Sequence, residues 1–204
     1  MVRQLEARGI TDRRVLATLA TIPREHFVPE HLMDQACADA ALPTAHGQSI
    51  SQPFIVALMT QEAGVSRKSR VLDVGTGTGY HAAILARLAG HVWTIERVPQ
   101  LSAAAARRLA EVGIRNFTPI VGDGARGHAT AAPYDAILVA AAAPAPPQAL
   151  IDQLGPSGRL VIPVGDLAEQ ELMIYQRRGG RLESRTAGPC RFVPLLSPDA
   201  FTTG

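Results

Sequence analysis

Cysteine is scarce: Cys37 and Cys190 are the only two in 204 residues, and neither belongs to a C-x-x-C pair. This excludes a disulfide-dense scaffold, and a reducing, cytoplasmic setting is expected. No apolar stretch reaches the ~18 uninterrupted residues of a membrane span. The most apolar run, Ala136–Ala140 and the alanines after it, ends at Pro144, Pro146 and Pro147. The opening residues, MVRQLEARGITDRR, mix charges and lack an apolar core, so no secretion signal and no membrane partner are expected. Neither sign of charge dominates, since 20 basic and 18 acidic residues leave a net +2. With aromatics at 4%, there are few platforms for stacking bases, and no nucleic-acid partner is expected. The six histidines lack metal-ligand spacing; His26 and His31 do not form an H-E-x-x-H pair, so no metal is expected. There is no internal repeat. What remains, 47% hydrophobic and 19% charged, is the composition of a soluble globular chain long enough to bury a core.

The residues that are present alternate in rhythm. Thr11 reads as the cap of a helix carrying Val15, Leu16, Leu19 and Ile22, which Pro23 ends. A short helix is expected around Met33 to Ala41, and Leu42 to Pro53 reads as a long polar loop. Pro53 suits the first turn of a helix that Gly64 stops. From Arg70 onward strands and helices alternate. Strands are expected at Val71–Val74, His91–Glu96, Phe117–Val121, Tyr134–Ala140 and Leu160–Val164. The intervening helices are Tyr80–Ala89, Gln100–Val112 and Ala149–Leu154. Leu172–Gln176 and Leu182–Thr186 flank Gly179-Gly180 as a closing hairpin. The expected fold is α/β: a doubly wound, mostly parallel Rossmann-like sheet with helices on both faces, a C-terminal antiparallel hairpin and an N-terminal helical cap. One domain, 1–204, is expected, with residues 1–69 as cap and loop and 70–204 as the ligand-binding core. The cap is expected to lie over the carboxyl ends of the strands.

The chain turns on VLDVGTGTGY, Val71 to Tyr80, a strand broken by Gly75, Gly77 and Gly79 with a helix directly after. Such a turn lets a ligand approach the backbone without meeting a Cβ. Its spacing is not the G-x-G-x-x-G of pyrophosphate binding, and no Lys-Ser or Lys-Thr follows to make a phosphate loop. Three acids stand in or at the ends of successive strands: Asp73, Glu96 and Asp123. Glu96 falls roughly 20 residues beyond the glycines, where a carboxylate accepts both ribose hydroxyls. Asp123 follows the third strand, in place to contact an adenine amino group. An adenosine-bearing ligand without a pyrophosphate is the expectation.

VLDVGTGTGY, TIE at 94–96 and GDG at 122–124 resemble the three cofactor motifs of class I S-adenosylmethionine-dependent methyltransferases. Within that class the chain is similar to the protein-L-isoaspartate O-methyltransferase family from Arg14 to about Leu195. The similarity is carried by PREHFVP (Pro23–Pro29), GQSISQP (Gly47–Pro53), DAILVAAAAP (Asp135–Pro144), GRLVIPVG (Gly158–Gly165) and RFVPL (Arg191–Leu195). The resemblance implies transfer of a methyl group from S-adenosylmethionine to the α-carboxylate of L-isoaspartyl residues in damaged proteins, with S-adenosylhomocysteine as product. It implies a monomer, with cofactor contacts from Asp73, Gly75, Thr76, Gly77, Gly79, Glu96, Asp123 and Gly124. Ser51 takes the position of the family's active-site serine. Asp39, Ile50, Ser51, Arg191, Phe192 and Val193 would border the peptide.

Ser51 also suits a capping role before the Pro53 helix. His46 and His81 are expected to line the site as polar residues. The chain departs from the family at Pro43-Thr44-Ala45, where proline, isoleucine and glycine are usual, and Ala140 replaces a common threonine. Other readings stay open: a methyltransferase acting on another carboxylate or a modified peptide, a nucleic-acid methyltransferase, or a non-catalytic cofactor-binding module. Against the nucleic-acid reading, Ala141-Ala142-Ala143-Pro144 stands where an Asn/Asp-Pro-Pro-aromatic motif is common.

Overall fold

The computed structural model describes residues 1–202. Two helices open the chain, α1 (Val2–Ala7) and α2 (Arg13–Thr21). The cap of α2 is Asp12 and not Thr11: its carboxylate accepts the Arg14 N–H at 2.9 Å. The Arg14 guanidinium 2.7 Å away holds that carboxyl below the usual carboxylate range. Thr11 turns its own N–H to Gln61 Oε1 at 2.8 Å. After Pro23 come two 3-10 turns, Arg24–Phe27 and Glu30–Gln35. The helix expected around Met33 to Ala41 is therefore only the second of these turns. The carbonyls of Ala36, Ala38 and Ala40 are taken by the Arg24 guanidinium, which removes them from any helical ladder.

The polar loop is partly ordered as a hairpin. Strands β1 (Leu42–Pro43) and β2 (Ser49–Ile50) pair antiparallel, with Leu42 opposite Ile50, around a 3-10 turn at Ala45–Gly47. Helix α3 (Pro53–Ala63) then starts on its proline and stops at Gly64, as the sequence requires.

Seven strands form the main sheet: β3 (Arg70–Val74), β4 (His91–Glu96), β5 (Phe117–Val121), β6 (Tyr134–Val139), β7 (Leu154–Gly165), β8 (Gln170–Arg178) and β9 (Arg181–Cys190), in the order β5-β4-β3-β6-β7-β8-β9. The first five are parallel; β8 and β9 run antiparallel at one edge. Between them lie α4 (Tyr80–Leu88), α5 (Pro99–Glu111) and α6 (Gln148–Asp152). Strand β7 begins well before the expected Leu160. Gly155 and Gly158 lie inside it, and a Cβ at Gly158 would lie 2.7 Å from the Tyr134 carbonyl. There glycine permits close pairing with β6 instead of ending the strand.

Alternation along the strands builds two cores, one on each face of the sheet. Val71, Val92, Ala136, Leu138 and Val161 pack with α1 to α4. Leu72, Val74, Ile95, Ile137, Val139, Leu160 and Ile162 pack with α6 and the turns after β5. The N-terminal helices thus join one face layer, and the segment between α2 and α3 is the part that reaches the carboxyl ends of the strands. The chain winds outward from β3 through β4 to β5, then returns to β6 on the other side of β3. That reversal opens a crevice at the carboxyl ends of β3 and β6.

Ile137 lies fully buried in a central strand. Ile137→Ala is expected to cost about 2–5 kcal/mol in urea denaturation, whereas the exposed Val121→Ala should cost under about 0.5 kcal/mol. Equal costs would contradict this assignment of the core.

Candidate active site

The glycine turn sits at the reversal point. Gly75, Gly77 and Gly79 all take positive φ, at 88°, 53° and 92°. Gly79 leads into α4, where a Cβ would press on Ala105 Cβ at 3.2 Å. A Cβ on Gly77 would meet nothing closer than 3.9 Å, so the backbone there is bare toward open space. The turn is held from β4: Gly75 N–H donates to the Ile95 carbonyl at 2.9 Å, and Gly77 N–H donates to Glu96 Oε2 at 3.0 Å. The other Glu96 oxygen accepts from Val98 N–H at 3.1 Å. Each oxygen retains a lone pair for a further donor.

Beneath the turn, Asp73 is fully buried and accepts from Thr94 Oγ1 at 2.7 Å; Thr94 Oγ1 in turn lies 2.6 Å from Thr76 Oγ1. Its other oxygen, Oδ1, has no partner. Burial, with the Glu96 charge adding to it against the Thr94 hydrogen bond, pushes the Asp73 carboxyl up to about 7. Asp123 closes the adjacent wall. Its carboxylate accepts from Ala125 N–H at 3.0 Å and from Ser197 Oγ at 2.7 Å, tying the turn after β5 to the C-terminal segment. Gly124 follows because a Cβ there would strike Val74 Cγ1 at 2.4 Å.

A cleft of about 970 Å³ opens above these groups. It brings together Ile50, Ser51, Gly75, Thr76, Gly77, Glu96, Gly124, Arg191, Phe192 and Val193 of the expected site. Four expected residues stand behind the lining: Asp39, Asp73, Gly79 and Asp123. His46 and His81 line it, as expected. His81 is buried with Nε2 3.1 Å from Thr60 Oγ1, and burial pulls its imidazole down to about 4, so it is neutral at physiological pH. Cys190, also in the lining, is pushed up to about 11 by burial and by Glu171, which keeps it a thiol.

The loop carrying Ser51 is clasped from behind. Arg24, 1% exposed, donates to the carbonyls of Ala36 at 2.6 Å, Ala38 at 3.3 Å, Ala40 at 3.0 Å and Ser51 at 3.1 Å. Asp39 caps α3 at a distance: Oδ1 accepts from Phe54 N–H at 2.9 Å, while Oδ2 pairs with Arg8. Gln52 Nε2 donates to the Asp39 carbonyl at 2.8 Å. Capping therefore falls to Asp39, and the Ser51 hydroxyl makes no hydrogen bond among the described residues. Sequence reasoning missed Arg24 as a site-forming residue. The signal lay in the PREHFVP stretch, but nothing local shows that its guanidinium reaches residues 12 to 27 positions away.

The lining fits an adenosyl sulfonium amino acid. Glu96 offers a carboxylate at the end of β4, the glycine turn offers bare backbone, and Val74, Ile95, Val98, Pro99 and Leu195 supply apolar walls for a base.

The Asp73 carboxyl carries a testable consequence. A carboxyl raised on folding binds more protons folded than unfolded between its ordinary value and about 7, so its contribution falls as pH rises through that window. For ligand-free protein, raising the pH from about 5 to about 8 should widen the thermal-midpoint advantage of Asp73→Asn over the parent. A pH-independent difference would contradict it.

Comparison with known proteins follows the same lines. The model of the family described as protein-L-isoaspartate(D-aspartate) O-methyltransferase matches residues 1–200. A protein-L-isoaspartate O-methyltransferase of Methanoculleus marisnigri is 49% identical over 193 residues, covering 95% of this chain and 88% of its own. One from Anaeromyxobacter dehalogenans is 51% identical over 190 residues, covering 92% and 91%. A solved protein-L-isoaspartate O-methyltransferase superposes with a TM-score of 0.87 at 26% identity, covering 97% of this chain; the chain spans 65% of that longer protein. A Plasmodium falciparum protein described as such a methyltransferase, in complex with S-adenosyl-L-homocysteine, gives a TM-score of 0.83 at 25% identity over 96% of both chains. The chain thus belongs to the protein-L-isoaspartate(D-aspartate) O-methyltransferase family.

Proposed function

We propose that the cleft between the glycine turn and the Ser51 loop is the active site of an S-adenosylmethionine-dependent protein carboxyl O-methyltransferase. The enzyme methylates the α-carboxylate of L-isoaspartyl residues in damaged proteins and peptides. The observation that carries this assignment is the sharing of one cleft: Ser51 and Arg191–Val193 open onto the same space as Gly75–Gly77 and Glu96.

The cofactor supplies an electrophilic methyl on a sulfonium; a carboxylate oxygen forms the new C–O bond as the C–S bond breaks, and its electron pair stays on sulfur. This chain's residues do the rest by position. Glu96 would hold the ribose hydroxyls on the lone pairs left by Gly77 and Val98. Gly75 and Gly77 would leave room for the amino-acid portion against the backbone, and Gly124, Val74 and Leu195 would frame the base. Asp123 fixes that frame, and an adenine amino group would use a lone pair left beside the Ala125 and Ser197 hydrogen bonds. Asp73 sets the turn from beneath.

The nucleophile is already ionised at neutral pH, so no strong general base is needed. His81, buried and neutral, and Cys190, held as a thiol, do not supply one. Ser51 donates its free hydroxyl to the isoaspartyl carboxylate and orients it, while Arg24 and Asp39 hold the loop in place. The methyl ester then closes to a succinimide through the peptide nitrogen, expelling methanol and reopening a route to normal aspartate. The two free cysteines fit a reducing cytoplasmic setting.

The test is methyl transfer from labelled S-adenosylmethionine to paired peptides with L-isoaspartyl or L-aspartyl at one position. Only the first should be labelled; equal labelling of both, or of neither with intact cofactor binding, would refute the assignment. In the same assay Ser51→Ala should lower turnover about tenfold or more with S-adenosylhomocysteine affinity unchanged. Glu96→Ala should weaken that affinity by about 10- to 100-fold. Loss of cofactor binding in the serine variant, or none in the glutamate variant, would reverse the two roles.

A further inference from the structure

The lining of the cleft is lopsided in charge. Among the described residues its only carboxylate is Glu96, at the cofactor end, where both oxygens already accept backbone N–H groups. The peptide end carries Arg8, His46 and Arg191 with no acid among them. Two acids stand behind that wall: Asp39, which divides its oxygens between Arg8 and the Phe54 N–H, and Glu171 on β8, opposite Pro189, which accepts from Thr186 Oγ1.

Arg8 and Arg191 are mounted differently. The Arg8 guanidinium lies 3.6 Å from the centre of the Phe54 ring and pairs with Asp39, which fixes it and offsets part of its charge. Arg191 makes no ion pair among the described residues. Its backbone is nonetheless held firmly: Phe192 N–H donates to Gln170 Oε1 at 2.8 Å, and Val193 accepts from Ala142 N–H at 2.8 Å. A solvated cation on a fixed stretch of chain is thereby presented beside the segment that borders the peptide.

Another part of the lining is the tip of the hairpin between β1 and β2. His46 holds φ 58°, ψ 31°, a left-handed conformation that residues with a Cβ rarely adopt. Gly47 continues it at φ 66°, and the tip is closed by Thr44 N–H donating to the Gln48 carbonyl at 2.8 Å. Strain of this kind at a non-glycine in a cleft wall marks a constrained position. It places an imidazole on the rim of the cleft with the two arginines.

From this arrangement we propose that the enzyme selects L-isoaspartyl sites with a second carboxylate on an adjacent residue, and that Arg191 is the specificity-determining cation. The proposal rests on the isoaspartyl reading above and names the subset of damaged sites that the cleft favours. An aspartate or glutamate beside the damaged residue enters a lining that presents Arg8 and Arg191 and no acid at that end, Asp39 and Glu171 lying behind it, whereas a lysine there meets like charge first. Exposed ion pairs are weak, so the preference is one of kcat/KM, about two- to fivefold per charge, and it fades with ionic strength.

The test uses three L-isoaspartyl hexapeptides identical except for one neighbour of the isoaspartate, glutamate, glutamine or lysine, placed on each side in turn. On at least one side kcat/KM should run glutamate over glutamine over lysine at low salt, and the gap should close in concentrated sodium chloride. Arg191→Gln should draw the glutamate-to-glutamine ratio toward one, whatever it does to turnover. Arg3→Gln, an exposed change outside the cleft, should leave both the ratio and the activity as they are. Equal rates for glutamate and glutamine, or a faster lysine peptide, would overturn the selection while leaving isoaspartyl methylation intact. A ratio that persists in Arg191→Gln would overturn the role given to that residue. Failure to methylate any of the three would instead defeat the functional reading beneath.

Discussion

One buried guanidinium holds the substrate half of this molecule together. Arg24 is withdrawn from water with no carboxylate against it, and a desolvated cation persists only where polar atoms replace its hydration. Four backbone carbonyls do so, three from the segment at 36–40 and one from Ser51. The same group lies 5.8 Å from the Tyr80 ring, at the start of the helix that the glycine turn feeds. Through one side chain the cap segment, the Ser51 loop and the first turn of α4 share an anchor. The 36–40 segment cannot become a helix while it serves as that anchor, and the hairpin at Leu42–Ile50 is suspended between the anchor and α3.

The cofactor half is organised by topology instead. Reversal of strand order at β3 leaves a crevice that no crossover covers, and the glycine turn falls there because β3 ends there. It is bonded to β4 through the Ile95 carbonyl, the Thr94 hydroxyl and the Glu96 carboxylate, so the turn is preset before any ligand arrives. Preorganisation suits a displacement that needs alignment more than proton transfer. Within the lining, His81 and Cys190 are consistent with that economy, one kept neutral by burial and the other kept as a thiol.

Much of this was legible in the residues. The strand–helix rhythm located β4 and β5 to the residue, because both stand between clear turns. Pro53 and Gly64 bounded α3 for reasons local to the backbone. Legibility failed where a partner distant in sequence decided the outcome. Asp12 and not Thr11 caps α2: the Asp12 carboxylate accepts the Arg14 N–H, while the Thr11 hydroxyl is turned to Gln61 Oε1. Gly155 and Gly158 continue β7 because Tyr134 crowds them. In the site, the sequence placed Glu96 and the glycines side by side at one turn, but not the hydrogen bonds by which Asp39 and Asp123 also tie walls together. An acid in a motif announces a charge; only the packed structure shows which N–H or hydroxyl takes it.

The central claim is that two separately held halves meet at one cleft, with the peptide side dependent on the Arg24 clasp. It is tested most directly by the variant Arg24→Lys, which keeps a positive charge but loses the planar fork that spans four carbonyls. The measurement is S-adenosylhomocysteine affinity by calorimetry, set against kcat/KM for an L-isoaspartyl peptide on the same folded sample. The account predicts affinity within about twofold of the parent and a loss of about tenfold or more in kcat/KM. Parallel loss of both, or of neither, would contradict it.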